Sequence, residues 1–286
     1  MPRRERLKVN GAESVGPYVL LRLERGELDP GGPGQFFMLE APGRLLPRAL
    51  SLCLAPAGEL AFLIDPIGPG TEALCTLEPG DAIAVFGPLG NGFRLDVERP
   101  LLVGGGIGMA PLPYLAETLR FPPVVLGFRS EHHAEAAVLL PGAEVAIDPT
   151  FVTELIPATL SGQHHDVLAC GPEPMLHAVG ELCPGAQLAW EAPMACGYGA
   201  CYGCAVEIDG ELKRLCIEGP VLVSSQQMNA GLSPAITGLS PAITRRAGAS
   251  SVDPIETTME PPCVLPSLGA CDRETRRHSL GGHCAA

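Results

Sequence analysis

The chain has 286 residues, a length that allows roughly two domains at about 150 residues each. Hydrophobic residues make up 46% and charged residues 18%, which excludes a wholly disordered polymer and fits a buried α/β architecture. The net charge of −13 argues against nucleic acid or an anionic membrane as partner, because both reward clustered Lys and Arg.

The opening MPRRERLKVN carries basic residues without an apolar run of about 7 to 15 residues behind them, so no secretory signal is read there. No stretch approaches the roughly 18 apolar residues of a membrane span. The expected compartment is the cytoplasm, where thiols stay reduced and clustered cysteines point to metal binding or catalysis. From about residue 7, short apolar runs alternate with turn residues: PYVLLRLE, GQFFMLE, RALSLCLA, ELAFLID, DAIAVFG. That spacing predicts a small antiparallel barrel or sandwich over residues 7–98. LLVGGGIG, APLPYLAETLR and PVVLGF then read as strand, glycine turn, helix and strand. EVAID, TELIPATL, DVLACG, EPMLHAVGELC and AQLAWE continue the alternation. A parallel sheet with crossover helices is expected over residues 99–190. Residues 191–222 form a third, small unit, too short to bury a core of its own without a staple. From 223 to 286 the chain is rich in Pro, Ser, Gly and Thr, and GLSPAIT stands twice in tandem at 231–237 and 238–244. Such composition predicts a disordered tail.

Within the third unit Cys196, Cys201, Cys204 and Cys216 follow the pattern C-x4-C-x2-C-x11-C. The first three match the start of the plant-type [2Fe–2S] ligand spacing. Thiolates are soft donors that suit iron, and Gly197, Gly199 and Gly203 let main-chain amides turn toward the sulfurs. Two other readings stay open: a four-thiolate zinc site, although only Cys201 and Cys204 form a C-x2-C pair, and cysteines that merely pack in a core.

A one-electron cluster needs a source of single electrons, and the upstream segments contain candidate nucleotide and flavin motifs. Gly104, Gly105, Gly106 and Gly108 follow an apolar strand and precede a helix, where amides and the positive helix end can receive a pyrophosphate. A tight turn without a ligand would read the same way. Cys170, Gly171 and Pro172 stand at the carboxyl end of a strand, where open α/β sheets bind ligands; Cys170 is equally readable as a small core residue. Arg48 and Ser51 share one strand, and Gly68, Gly70 and Thr71 lead into a short helix. Arg can neutralise a phosphate and Ser or Thr can hydrogen-bond a flavin edge, and a surface arginine on a polar strand face is an equally ordinary reading.

Taken in order, R-x-x-S, G-x-G-T, GPLGNGF (87–93), GGGIGMAPL, ACGPEPM and the cysteine cluster resemble the ferredoxin-reductase superfamily. More narrowly they resemble the family of electron-transfer subunits of NAD-dependent (type B) dihydroorotate dehydrogenase, over roughly residues 7–222. The resemblance implies an FAD-binding barrel, a parallel-sheet NAD-binding domain and a C-terminal [2Fe–2S] unit. It implies FAD on Arg48, Ala49, Leu50, Ser51, Leu63, Ile64, Asp65, Gly70 and Thr71, NAD near Gly104, Gly105, Gly106, Cys170, Gly171 and Pro172, and the cluster on Cys196, Cys201, Cys204 and Cys216. It further implies an oxidoreductase subunit of pyrimidine biosynthesis, carrying electrons from an FMN-containing catalytic partner to NAD+, as a heterotetramer of two of each chain. No residue here is a candidate acid or base on dihydroorotate. Two neighbouring readings are a reductase subunit for another partner, of the ferredoxin–NADP reductase or sulfide dehydrogenase type, and a non-enzymatic zinc module. This chain departs from the family pattern at Ala49, where proline is usual, and in the short DPTF between Ile147 and Val152, where a longer glycine-rich acidic loop is usual. Tyr198 and Tyr202, between the cluster cysteines, are expected on the face that meets a partner; rings that only cover the cluster from water would read the same way.

Overall fold

The computed structural model describes residues 1–160, 165–208 and 210–224. The expectation of a tail with a tandem repeat therefore falls almost wholly outside the described residues. Six antiparallel strands come first: β1 (Arg3–Val15), β2 (Tyr18–Glu24), β3 (Phe36–Leu39), β4 (Arg48–Ser51), β5 (Glu59–Ile64) and β6 (Ala82–Leu89). They lie in the order β4-β3-β6-β1-β2-β5. Just past β4, Leu54 bridges Ala61 of β5, so the curled sheet comes round on itself as a barrel. A short helix, α1 (Pro69–Cys75), sits between β5 and β6.

β1 begins four residues before the expected start at residue 7, and its sequence RRERLKVNGAESV hides it. Only Leu7 and Val9 are buried. The strand exists because it pairs along one edge with β6 and along the other with β2, so ladder hydrogen bonds replace an apolar face. β2 is covered on both faces. Leu21 and Leu23 enter the barrel interior with Phe37, Phe62 and Ile64, whereas Tyr18 and Leu20 face the second half of the chain with Leu102, Met109 and Leu126. Each such buried side chain stabilises the fold by about 1.5–3 kcal/mol relative to exposure.

The second half alternates β7 (Pro100–Gly105), α2 (Leu112–Thr118), β8 (Val124–Phe128), α3 (Glu131–Ala134), β9 (Glu144–Ile147), α4 (Val152–Leu160), β10 (Asp166–Cys170), α5 (Glu173–Leu182) and β11 (Gln187–Ala189). These five strands are parallel, as the alternation predicts. The segment after β11 forms the cysteine loop, the hairpin β12 (Ala205–Ile208) and β13 (Glu211–Arg214), and then β14 (Val221–Val223). β14 pairs antiparallel with β11 and completes the order β14-β11-β10-β7-β8-β9. The small unit is therefore stitched into the sheet at its far end, and no core of its own is required. Cys204, Val206, Leu215 and Cys216 are buried in one cluster with Phe36 and Met38 of the barrel and Leu188 and Trp190 of the sheet. Among the described residues, no helix is long and apolar enough to cross a membrane.

Candidate functional site

The cysteine loop leaves β11 at Trp190, whose N–H donates to the Pro220 carbonyl at 2.9 Å, and returns by the turn after Cys216. Gly197 and Gly199 hold φ of +76° and +83°, a region open to glycine but strained for other residues. A Cβ at Gly197 would stand 2.7 Å from Met38 of β3, so the loop presses on the barrel through main chain. The four sulfurs fall into two pairs. Cys204 and Cys216 lie 3.2 Å apart, and the Cys201 side chain hydrogen-bonds Cys196. Main-chain N–H groups aim at sulfur, from Gly199 to Cys216 at 3.1 Å and from Gly203 to Cys201 at 3.4 Å.

Burial works against a Cys196 thiolate, but the N–H groups of Tyr198, Cys201 and Ala200 and the Cys201 thiol outweigh it and bring the thiol down to about 7. Cys216 is pushed up to about 12, by burial first and then by Cys204 beside it. A buried sulfur pair of this kind becomes two thiolates only when a cation shares the charge, which is what a metal centre supplies. Two thiol pairs suit a two-iron cluster with two ligands on each iron.

A cleft of about 250 Å³ opens between barrel and sheet. Ala49, Leu50 and Ser51 of β4, Leu63 and Asp65 at the end of β5, and Thr71 of α1 border it, all of them predicted. So do Ile107, Trp190, Glu191 and Met194, which were not. Ile64 departs from expectation: strand alternation turns its side chain into the barrel core, fully buried. Gly70 serves Arg48, because a Cβ there would collide with the guanidinium. Arg48 in turn donates to the carbonyls of Leu46 at 2.9 Å and Pro47 at 3.3 Å. Thr71 caps α1 by accepting from the Gly68 N–H at 3.2 Å.

A second cavity, of about 570 Å³, lies over the carboxyl ends of β7, β8, β9 and β10, the place where open parallel sheets take ligands. Gly105, Gly106 and Pro172 border it as predicted, joined by Tyr18, Arg129, His133, Asp148, Thr150 and Thr153. Gly104 and Cys170 are withdrawn from both cavities into the packing. A Cβ on Gly104 would meet Leu126 and Leu112, and Cys170 is buried, its thiol held far above the ordinary range by burial and then by Glu191. Gly171 touches Gly108, main chain against main chain, which clamps the two glycine turns together. Arg129 donates from Nε to Nε2 of His133 at 2.8 Å, so Nδ1 of His133 carries the proton and donates to Ser130 Oγ, also at 2.8 Å. Burial and the Arg129 charge lower the proton affinity of that imidazole. Asp65 and Ile107 border both cavities and mark where they meet. Arg129, His133 and Asp148 carry no motif; only their place just past β8 and β9 could have pointed to them.

Barrel, nucleotide-type sheet and paired thiols define an electron-transfer protein of the ferredoxin-reductase fold. The fold is similar to that of an NADH-dependent reduced ferredoxin–NADP oxidoreductase, with a TM-score of 0.63 and 22% identity over 76% of this chain and 88% of that one. Residues 191–226 match the iron–sulfur cluster binding domain of dihydroorotate dehydrogenase B. The dihydroorotate dehydrogenase B (NAD(+)) electron transfer subunit of Clostridium perfringens is 36% identical over 66% of this chain and 83% of its own length. That of Geobacillus thermodenitrificans is 39% identical over 66% and 84%. The chain belongs to the family of dihydroorotate dehydrogenase B electron transfer subunits.

Proposed function

We propose that the chain carries electrons from the FMN of a dihydroorotate-oxidising partner, through a [2Fe–2S] cluster and FAD, to NAD+. The observation that carries this reading is the seating of the Cys204–Cys216 pair in the same buried packing as Trp190, with the Cys196–Cys201 pair beside it nearer the surface, next to a cleft that opens into a nucleotide-type cavity. When bound, a nicotinamide exchanges two electrons as hydride, a cluster exchanges one at a time, and a flavin does both.

Cys196, Cys201, Cys204 and Cys216 ligate the cluster, and the N–H groups of Gly199 and Gly203 temper the charge on their sulfurs. Arg48 and Thr71, with the strand ends at Ala49–Ser51 and Leu63–Asp65, hold the FAD. Ser51 would offer the FAD a hydroxyl, and Trp190 borders the cleft from the sheet side. Gly105, Gly106 and Pro172 bring main chain up to the NAD phosphates, and the glycine clamp sets their spacing. Asp148 stands at the end of β9, where a carboxylate accepts a hydrogen bond from a ribose hydroxyl.

The partner docks over the exposed cluster loop. A hollow of about 530 Å³ bordered by Leu45, Leu46, Phe86, Cys196 and Tyr198 lies there, with Leu45 97% and Tyr198 59% exposed. The complex is a heterotetramer of two of each chain and works in the cytoplasm. Co-expression with an FMN-containing catalytic subunit is the test. Dihydroorotate-dependent NAD+ reduction appears only when both chains are present, and the anaerobically purified chain carries FAD, iron and sulfide. NAD+ reduction by the catalytic subunit alone, or zinc in place of iron, overturns the reading.

A further inference from the structure

The turn between β1 and β2 is pressed against α3, since a Cβ on Gly16 would stand 2.6 Å from the His132 carbonyl. Tyr18, which opens β2, is held there at the edge of the nucleotide cavity. It is 2% exposed. Its ring packs in one cluster with Leu102, Met109 and Leu126 and stands edge-on to His133, with ring centres 5.9 Å apart. A buried phenol usually finds a hydrogen-bond partner, but the Tyr18 hydroxyl has none among the described residues. It borders the cavity instead. Burial and then the Asp65 carboxylate push Tyr18 up to about 12 against the Arg129 charge, so the hydroxyl keeps its proton and can donate. Across from it stands Gly106, at φ +53°. Chain neighbours apart, a Cβ on Gly106 would meet a single atom within 4 Å, the Tyr18 hydroxyl oxygen at 3.9 Å. The glycine turn and the phenol thus face each other across open space.

We infer that the Tyr18 hydroxyl binds the nicotinamide half of NAD, donating to the ribose phosphate that lies against Gly106. The inference rests on the reading of this cavity as the NAD site. Two observations select that half of the nucleotide. Asp65, whose charge reaches the hydroxyl, also borders the cleft assigned to FAD, so Tyr18 stands at the end of the cavity where hydride crosses. Asp148, the ribose partner proposed for the other half, follows β9, which lies two strands from β7 in the sheet, or about 10 Å at the usual strand spacing. A neutral donor between the Asp65 carboxylate and the Arg129 guanidinium can hold a phosphate without adding charge. Because Tyr18 belongs to the barrel and Gly106 to the sheet, the contact also grips the nucleotide from both domains.

The experiment uses the full chain with its cofactors, as wild type and Tyr18→Phe, which keeps the ring and its packing. Calorimetry measures the binding of NAD+, nicotinamide mononucleotide and 5′-AMP, and thermal melting is followed without nucleotide. In Tyr18→Phe the Kd of NAD+ and of nicotinamide mononucleotide rises about fivefold, the usual worth of one neutral hydrogen bond. The Kd of AMP holds, and so does the melting temperature, because the hydroxyl bonds nothing in the protein. Unchanged binding of nicotinamide mononucleotide overturns the inference, as does weaker binding of AMP alone with NAD+, which would put the hydroxyl on the adenosine half. Equal weakening of all three ligands, or a lower melting temperature without nucleotide, marks a structural role and overturns it too. Wild-type protein that binds no NAD+ overturns instead the reading of the cavity on which the inference stands.

Discussion

The Asn91 side chain donates to the carbonyl of Ile217 at 3.0 Å, and to that of Glu218 at 3.1 Å. Asn91 belongs to the GPLGNGF turn after β6, and Ile217 follows the last cluster cysteine. Its main chain joins in, with the Asn91 N–H donating to the Gly219 carbonyl at 2.6 Å. The two segments are more than a hundred residues apart, and this contact ties the loop that closes the cysteine set to the barrel. Replacing Asn91 by Ala removes both side-chain bonds at an exposed position, a loss of about 1 kcal/mol for each. Iron content and cluster absorbance should fall in Asn91→Ala, whereas flavin content, which depends on β4, β5 and α1, should hold.

Cys201 is the exposed member of the four thiols. Cys201→Ser should abolish the visible absorbance of the cluster while NADH still reduces the flavin, because hydride reaches the flavin without crossing the cluster. Anaerobic spectra with and without NADH check both halves. Loss of flavin together with the cluster would show that the shared core around Trp190 and Cys204 couples the two sites.

Gly108 has no room for a side chain, since an added Cβ would run into the main chain of Cys170 and Gly171. Gly108→Ala should force the two glycine turns apart, at about 1–3 kcal/mol for an overpacked site. About tenfold weaker NADH binding is expected if roughly 1.4 kcal/mol of that falls on the nucleotide. Titration of NADH into the flavin-loaded protein measures it, with the cluster spectrum as the unaffected control.

Cluster-free protein should show two very different thiols. Cys196, brought to about 7 by surrounding N–H groups against the effect of burial, becomes a thiolate as pH rises through 7; Cys216, at about 12, stays protonated. Iodoacetamide at pH 8 should therefore label Cys196 at least about tenfold faster than Cys216, because the thiolate is the nucleophile. Peptide mass spectrometry across pH 6 to 9 checks the order. The depressed Cys196 value also stabilises the folded cluster-free chain above the ordinary thiol value of 9, a contribution lost as pH falls through 7.

Tyr198 and Tyr202 are 59% and 61% exposed, and neither is loose. Tyr198 packs edge-on against Phe86 with ring centres 6.3 Å apart, and the Arg214 guanidinium sits 5.1 Å from the Tyr202 ring centre. Two ordered aromatic rings beside a cluster are suited to anchor an interface. The double variant Tyr198→Ala, Tyr202→Ala should keep its iron and flavin but lose co-purification with the catalytic subunit, by about 2 kcal/mol or more if these are anchoring residues.

Local pattern alone determined the element types. Apolar alternation marked β2 through β6, and the strand–glycine–helix order marked the parallel sheet, because period and turn chemistry are local properties. C-x4-C-x2-C-x11-C brought four thiols within 21 residues, so cluster chemistry was legible without a fold. Tertiary structure decided what depends on residues distant in the chain. β1 is a strand because two neighbours hydrogen-bond it, despite a charged sequence with two buried side chains. Ile64 is lost to the barrel core because alternation about β5 leaves Leu63 and Asp65 to the cleft. The sulfurs pair as they do because β13 and the turn after it bring Cys216 back onto Cys204. Arg129 and His133 were invisible for the same reason: each is an ordinary polar residue whose meaning comes from the strand end on which it stands, and strand order is fixed by packing between segments that sequence spacing does not connect.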